Sequence, residues 1–580
     1  MANKVNLRIC LTISIFLLVM AGPAKGATIT VGPGEGFNFN TIQAGIDAAV
    51  DGDTVLVAPD EYIVTEPVTF RGKAITVKSE TGRDETTIRM GTPADSNRGS
   101  VIIFENGETT ASILEGFTIT GGKGFWLPSA NAYGGGGVLF NASFGTVRDC
   151  AIVQNSTEYG GGICCVFTCS PRLTDCTIVE NSAEENGGGV LLWSGPSLTM
   201  SNCTIRENSA TRYGAGLHCW QDSSLTMTDC AISKNSVTGD TPHVAGYGGG
   251  LCCMDSSMLT LTNCNIVENS AGIGGGGIHC WNSCLLELTS CAIMENSVTI
   301  VGGGMFCEEH SSVTMTNCIV SGNSATGRHQ DYPDLGGGGG MDFWGNTSLT
   351  LSNCTITGNS AAKNAGGMIC DFWCSGTVTN SIVCGNTAPI TPDISLIFGS
   401  TLDITYTDVA GGRTAVNIEG GSILNWGLGN IASDPCFADS ENDDCHLKSQ
   451  AGRWTSASSV EPDPNSQAWV QDDVTSPCID AGDPNSDWTA ELWPHGERIN
   501  MGAYGGTSQA SRSLSNAGNV ADLNRDGIVD SADMRIMVDH WGTDEPLCDI
   551  GPMPWGDGII DVQDLIVLAE NLFEEIPPIE

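Results

Sequence analysis

The chain reads as mainly β, a parallel β-solenoid followed by a small helical module, and three observations point that way. A motif written "DCTIVENS" at Asp175 and "NCTIRENS" at Asn202 recurs through the centre. Its asparagines, from Asn155 to Asn359 and more weakly Asn386, fall at intervals of 26, 27, 27, 34, 27, 27, 36 and 27 residues. A fixed period of this size marks stacked repeats. Each unit also carries a glycine cluster followed by alternating apolar residues, as in "GGGVLLW" and "GAGLHCW". Towards the C-terminus the period gives way to a short acidic loop that runs into an amphipathic segment.

Residues 1–26 come first. Lys4 and Arg8 precede an apolar run, Ile9 to Met20, and small residues Ala24 and Gly26 follow. This pattern predicts a secretory signal peptide, hence an extracellular or cell-surface protein. No later stretch approaches the ~20 apolar residues of a membrane helix. The formal net charge of −43 argues against nucleic acid as a partner and favours solubility and divalent cations.

Residues 27–110 are expected to form an N-terminal cap and the first coils. The amphipathic run Ile42 to Val50 predicts a helix over the open first coil, whose apolar core and strand edges need cover.

Residues 111–433 are the coils proper. Short alternating runs punctuated by Gly, Asn and Ser predict about three strands per coil, with coils ~4.8 Å apart so that equivalent side chains stack. The first position after each glycine cluster (Ile163, Val190, Leu217) and the third (Cys165, Leu192, Cys219) then face the core. A further column holds Cys150, Cys176, Cys203 and their equivalents. In such files cysteine packs as a small buried hydrophobe, and parallel Cβ vectors disfavour bridging, with Cys169, Cys284 and Cys374 the place for exceptions. The asparagine amides are expected to bond to turn backbones and neighbouring coils. Residues 434–515, with "SPCIDAGDP" from Ser476 and "INMGAYGG" from Ile499, are expected to cap the far end.

From Ala27 to about Gly506 the chain resembles the pectin-lyase-like right-handed parallel β-helix superfamily, through its opening segment and "IDAG…INMGAYGG". The repeated "NS" followed by "GGG" is also similar to the repeats of polymorphic outer-membrane proteins. The resemblance implies right-handed winding and leaves activity open.

Residues 516–580 carry "ADLNRDGIVDSADMRIMVDHWG" from Ala521. Calcium loops take oxygen ligands at positions 1, 3, 5, 9 and 12, a carbonyl at 7 and glycine at 6. Asp522, Asn524, Asp526, Asp530 and Asp533 supply the side chains, Ile528 the carbonyl and Gly527 the turn. A partial copy follows, in which Asp557, Ile559, Asp561 and Asp564 fit positions 5, 7, 9 and 12. Met553 and Trp555 fall on positions 1 and 3, so Asp549 replaces the first ligand only if residues 551–556 loop out. The tandem EF-hand-like units resemble a type I dockerin, which implies Ca2+ as cofactor and a cohesin-type partner. Ser531 and Ala532 are close to that family's Ser-Thr pair, whereas Val562 and Gln563 depart from it.

Between the core columns, alternation turns two files outward. One holds His218, His279, Phe306 and Asp342; the other Trp193, Trp220, Trp281, Glu308, Trp344 and Asp371. Aromatic faces beside carboxylates suit sugar rings. Insertions after Val237 and Ala325 rise from one edge, so either a groove forms around His279, Trp281 and Glu308, or the loops fold over the tryptophans. Hence a secreted carbohydrate-binding protein is expected, with a polysaccharide lyase or glycoside hydrolase as one alternative and an adhesin or structural surface protein as another. Lys and Arg are nearly absent from the outward files, and no catalytic signature stands out.

Overall fold

The structure, a computed structural model, describes residues 26–128, 131–241, 244–327, 337–455, 469–515, 519–524, 528–545, 547–552 and 556–573. The expected signal segment, the second insertion at 328–336 and Asp526 lie outside these.

Alternating apolar residues closed by turn formers give strands of two to five residues. One coil comprises Ser197–Ser201, Thr204–Arg206, Ser209–Ala210 and Leu217–Trp220. The next lies parallel to it, with Leu198 opposite Leu225, Ile205 opposite Ile232, Ala210 opposite Val237 and Cys219 opposite Cys253. Among the described residues the coils build sheets of 15, 13, 11 and 13 strands, here the first to fourth in the order a coil visits them. The expected three strands per coil are therefore four through the central coils. The extra one is a Ser-Ala or Ser-Val pair directly after the asparagine, too short to show alternation.

Helix α1 (Ile42–Ala48) forms where the amphipathic run predicts it. Thr41 accepts the Ala44 N–H as N-cap, and Ile42 and Ile46 are buried on the first coil.

Inside, equivalent residues stack in files. Phe70, Phe104 and Phe140 lie 4.8 and 4.7 Å apart, and the file continues through Cys165, Leu192 and Cys219. All 24 described cysteines are free thiols, Cys169, Cys284 and Cys374 included. They do more than fill space. Cys264 and Cys318 each donate to the carbonyl two residues back, at 3.3 Å, and in later coils the hydroxyls of Ser381 and Thr407 do the same at 2.8 Å. Cysteine therefore serves as a compact corner donor, interchangeable with Ser and Thr.

The asparagines form a continuous ladder. Asn269 Oδ1 accepts the backbone and side-chain N–H groups of Asn235, and Asn269 Nδ2 donates to Asn296 Oδ1 and to the Ile232 carbonyl. Each amide is buried and satisfied, which makes the period costly to break. The glycine clusters follow from this tight corner. Gly187 has φ 68°, and a Cβ on Gly188 would lie 2.3 Å from the Ser209 carbonyl oxygen.

Residues 434–515 act as a clamp along the flank. Asn317 Nδ2 donates to the Ala503 and Gly505 carbonyls, Asn353 Nδ2 to that of Asn500, and Asn380 Oδ1 accepts the Asp483 N–H. With the Gly502 N–H donating to the Asn380 carbonyl at 2.8 Å, the "INMGAYGG" segment is fastened to the corner asparagines of three successive coils, and not merely laid over the last one.

The C-terminal unit pairs α2 (Ser531–Asp539) with α3 (Val562–Glu570), two nine-residue helices around a core of Leu523, Val529, Met537, Ile550, Ile560 and Leu568. The halves cross over symmetrically: Phe573 N–H donates to Val529 C=O at 2.7 Å, and Gly542 N–H to Ile560 C=O at 2.9 Å.

Candidate functional site

The fourth sheet presents both predicted files on its outer face, but the structure treats them differently. His218, His279, Phe306 and Asp342, expected to face solvent, are buried. For the two histidines the cause is a tyrosine just before a glycine cluster. Tyr213 covers His218 with ring centroids 5.7 Å apart, and Tyr247 stacks on His279 at 4.6 Å. Burial accordingly pushes the His218 imidazole down to about 3. A tyrosine recurring before the glycines in "EYGGG", "RYGAG" and "GYGGG" was the available signal.

The neighbouring file stays half-exposed in its upper part but does not form a free aromatic row. Trp193 and Trp220 stack on each other at 5.4 Å with planes 11° apart. Their indole N–H groups donate to Gln221 and Asp255, at 3.1 and 2.7 Å. Trp281 lies opposite Met254 on one side and Glu308 on the other. Glu308 in turn meets His279 Nε2 at 3.1 Å.

The last coils bring the remaining residues together. Asp342 is buried and accepts the Gly338 N–H at 3.2 Å, while Asp371, one coil on and also buried, has one oxygen, Oδ1, without a partner. Burial, then the charge of Asp371, pushes the Asp342 carboxyl up to about 8; burial raises Asp371 to about 6. Beside Asp371 the corner carries aromatic residues that the sequence reading did not single out. Phe372 stacks on Phe398 at 4.7 Å and meets Trp344 edge-on at 5.1 Å, and Trp373 leans on Phe372 at 6.1 Å. Trp373 is 64% exposed and Phe398 52%.

The backbone beneath them is unusual. Phe372, Trp373 and Phe398 have φ of 50°, 60° and 48°. Bulky residues avoid this left-handed region at a cost of roughly 1–2 kcal/mol each. In earlier coils the same two corner positions include Gln221–Asp222, Asp255–Ser256 and Asn282–Ser283, all at positive φ and mostly types that tolerate it better, with Phe167 at φ 60° an aromatic precedent near the start. Aligning the residues that follow each fourth-sheet strand would have revealed the substitution.

Of the first insertion, Asp240–Thr241 and Val244–Ala245 pair as a small antiparallel hairpin.

In the C-terminal unit, Asp533 is fully buried, Oδ1 accepting the Asn524 N–H at 3.0 Å and Oδ2 that of Asp530 at 2.8 Å; Asp530 caps α2. Asp522 is buried at the loop's start and Ile528 is exposed. The second half repeats this chemistry. Asp564 accepts the Ile550 and Gly551 N–H groups and that of Asp561, each at 2.7 Å, and Asp561 caps α3. Asp549 therefore stands where Asp522 stands in the first half. It accepts the Asp557 and Gly558 N–H groups at 2.9 and 2.8 Å, across the longer loop that this placement requires. These loop carboxylates are oxygen donors of the kind a hard divalent cation takes, but among the described residues no three of them converge on one point.

The class of protein defined by this fold is a right-handed parallel β-helix. The family described as "Right handed beta helix region" matches residues 72–273 and 199–334, and one described as "Disaggregatase related" matches residues 412–482. No curated protein matches the sequence. Among solved structures the chain is similar to pectate lyase Pel9A, at 12% identity over 84% of this chain and 97% of that one, TM-score 0.36. It is also similar to the catalytic unit of a GH87 α-1,3-glucanase from Streptomyces thermodiastaticus, at 10% identity over 71% of each chain, TM-score 0.30. A third likeness is to the receptor-binding protein of bacteriophage Det7, at 11% identity over 74% of this chain and 84% of that one, TM-score 0.27.

Proposed function

We propose that this is an exported carbohydrate-binding β-helix whose C-terminal unit is a calcium-dependent, dockerin-like module for a cohesin-type partner. One observation carries the first half: Trp373 and Phe398 are held exposed, with half-buried Phe372 between them, on strained backbone beside a buried carboxylate with an unpartnered oxygen. Strain at exposed aromatic residues is retained where the side chain has work to do. Flat apolar rings stack on the C–H face of a pyranose while a carboxylate accepts from its hydroxyls. The test is to measure binding of the full chain to neutral and uronic-acid polysaccharides, scoring cleavage separately. Retained binding by a Trp373→Ala, Phe398→Ala double variant would refute the site.

A second reading, a glycan-cleaving enzyme, is favoured by the Asp342–Asp371 pair. One member holds its proton at neutral pH and the other gives it up more readily, the division of labour between general acid and base. Cleavage products that disappear in Asp371→Asn would establish this reading, and unchanged cleavage would dismiss it.

For the module, Asp522, Asn524, Asp526, Ile528, Asp530 and Asp533 would hold the first Ca2+, and Asp549, Asp557, Ile559, Asp561 and Asp564 the second. Calcium would neutralise the clustered carboxylates and lock each loop to its helix. Calorimetry should detect two binding events, the second lost in Asp564→Ala.

A further inference from the structure

The buried file under the tyrosines holds a second constellation, in coils before the aromatic corner. Strand register sets His218 opposite Cys252, and Cys252 opposite His279. A thiol thus lies between two imidazoles in three consecutive coils. Cys252 Sγ is 3.5 Å from His279 Nδ1, and the far nitrogen of that ring, Nε2, is 3.1 Å from Glu308 Oε1. All three of His218, Cys252 and His279 are buried.

One feature of this group goes unexplained by packing, and a second, the Cys252–His279 hydrogen bond, has a length that serves more than a hydrogen bond. Neither ring nitrogen of His218 has a partner, although buried polar groups are rarely left unpaired unless an ion or water serves them. Moreover, the sulfur–nitrogen distance suits a shared metal. With a thiolate at about 2.3 Å and an imidazole at about 2.0–2.1 Å from a tetrahedral ion, the two donor atoms lie roughly 3.5 Å apart. A carboxylate on the other ring nitrogen is the usual outer support of a metal-binding histidine, because it fixes the tautomer that leaves Nδ1 free to ligate.

We propose that Cys252, His279 and His218 bind one zinc-class divalent ion, with Glu308 as a positioning residue behind His279. Among the described residues no three such side chains already converge on one point. Cys252 and His279 are in place, and His218 completes the set by turning its ring towards the sulfur from its place between Tyr213 and Trp220. As the metal–sulfur bond forms, the thiol proton leaves to solvent, so loading releases a proton. The site is independent of the aromatic corner and of the C-terminal loops, which offer only oxygen.

The test uses the full chain, reduced and freed of metal with a chelator, titrated with Co2+ as the spectroscopic stand-in for Zn2+. The expected result is a thiolate-to-cobalt charge-transfer band that saturates near one equivalent and is displaced by Zn2+. The calcium loops, which contain no cysteine, cannot produce a thiolate band. Cys252→Ser and His279→Gln should abolish the band with far-ultraviolet circular dichroism unchanged, and Glu308→Gln should weaken binding about 10- to 100-fold. Absence of the band in the unaltered chain, or its survival in Cys252→Ser, overturns the proposal; the first outcome does so even if a variant fails to fold. Unchanged affinity in His218→Asn would overturn the three-residue assignment.

Discussion

The corner after the fourth sheet is built twice on one backbone and furnished twice differently. In the middle coils its left-handed positions hold Asp222, Asp255, Asn282 and Ser283; in the last coils they hold Phe372, Trp373 and Phe398. The outer file beside it changes as well, from Cys252 and Phe306 to the acid Asp342. A solenoid repeats its core because each coil is the template for the next, so a departure confined to the outer corner is not imposed by packing. The difference teaches that the repeat supplies a scaffold on which the outer face can be furnished differently from coil to coil.

The largest effect separating the two regions should be on pH dependence. A carboxyl whose folded pKa is raised contributes stability that is full below its unfolded value and is lost as pH rises through the folded one. With Asp342 at about 8 against an ordinary 3.8, stability should fall as pH rises from about 4 to about 8, most of the Asp371 share going by pH 6. The steepest slope is about 1.4 kcal/mol per pH unit for one proton. Chemical denaturation across that window checks this, and Asp342→Asn should flatten the curve. An equally steep curve in that variant would mean that the acid is not held protonated.

Next comes ligand affinity. Trp373→Ala should weaken polysaccharide binding at least about tenfold, near 1.4 kcal/mol. Trp193→Ala should change it little, since Trp193 already spends one face on Trp220. Equal losses at both positions would erase the distinction between the regions.

Trp373→Gly sharpens it in the opposite sense. Glycine relieves the positive φ, so folding stability should hold or rise by up to about 1 kcal/mol, after allowing for the extra freedom of the unfolded chain, even as binding is lost. Asp222→Gly, on the same backbone in the middle coils, should show no such trade of function against stability.

What the sequence made legible follows the same division. The period, the core columns, the asparagine ladder and α1 repeat or alternate strongly enough to be read directly. The second-sheet strand Thr204–Arg206 shows its inward Ile205 plainly, whereas the two-residue strand Ser209–Ala210 has no alternation to show. Burial of His218 and His279 depended on a tyrosine contributed from outside the strand, and alternation alone sends such residues to solvent. The aromatic corner shows in the sequence only when the residues after each fourth-sheet strand are aligned, because the positive φ itself leaves no trace in a residue as atypical there as Trp373. In the C-terminal unit Asp530 and Asp561, expected as loop ligands, stand as helix caps, and the place of Asp549 at the head of the second loop shows only in the backbone path.

The smallest effect tests whether the scaffold half of the comparison is as generic as it looks. Cys318 donates to the Thr316 carbonyl at 3.3 Å, and Ser381 makes the equivalent bond to Thr379 at 2.8 Å two coils later. If the corner needs only a compact donor, Cys318→Ser should shift the urea midpoint by less than about 1 kcal/mol equivalent, its stronger hydrogen bond offsetting the loss of a larger buried atom. Cys318→Ala removes the donor and leaves space, and should cost more, about 1–2 kcal/mol. A serine variant as damaged as the alanine one would show that sulfur volume in the file, not the bond, fixes the corner. The thiols of the middle coils would then be as specialised as the aromatic residues of the last.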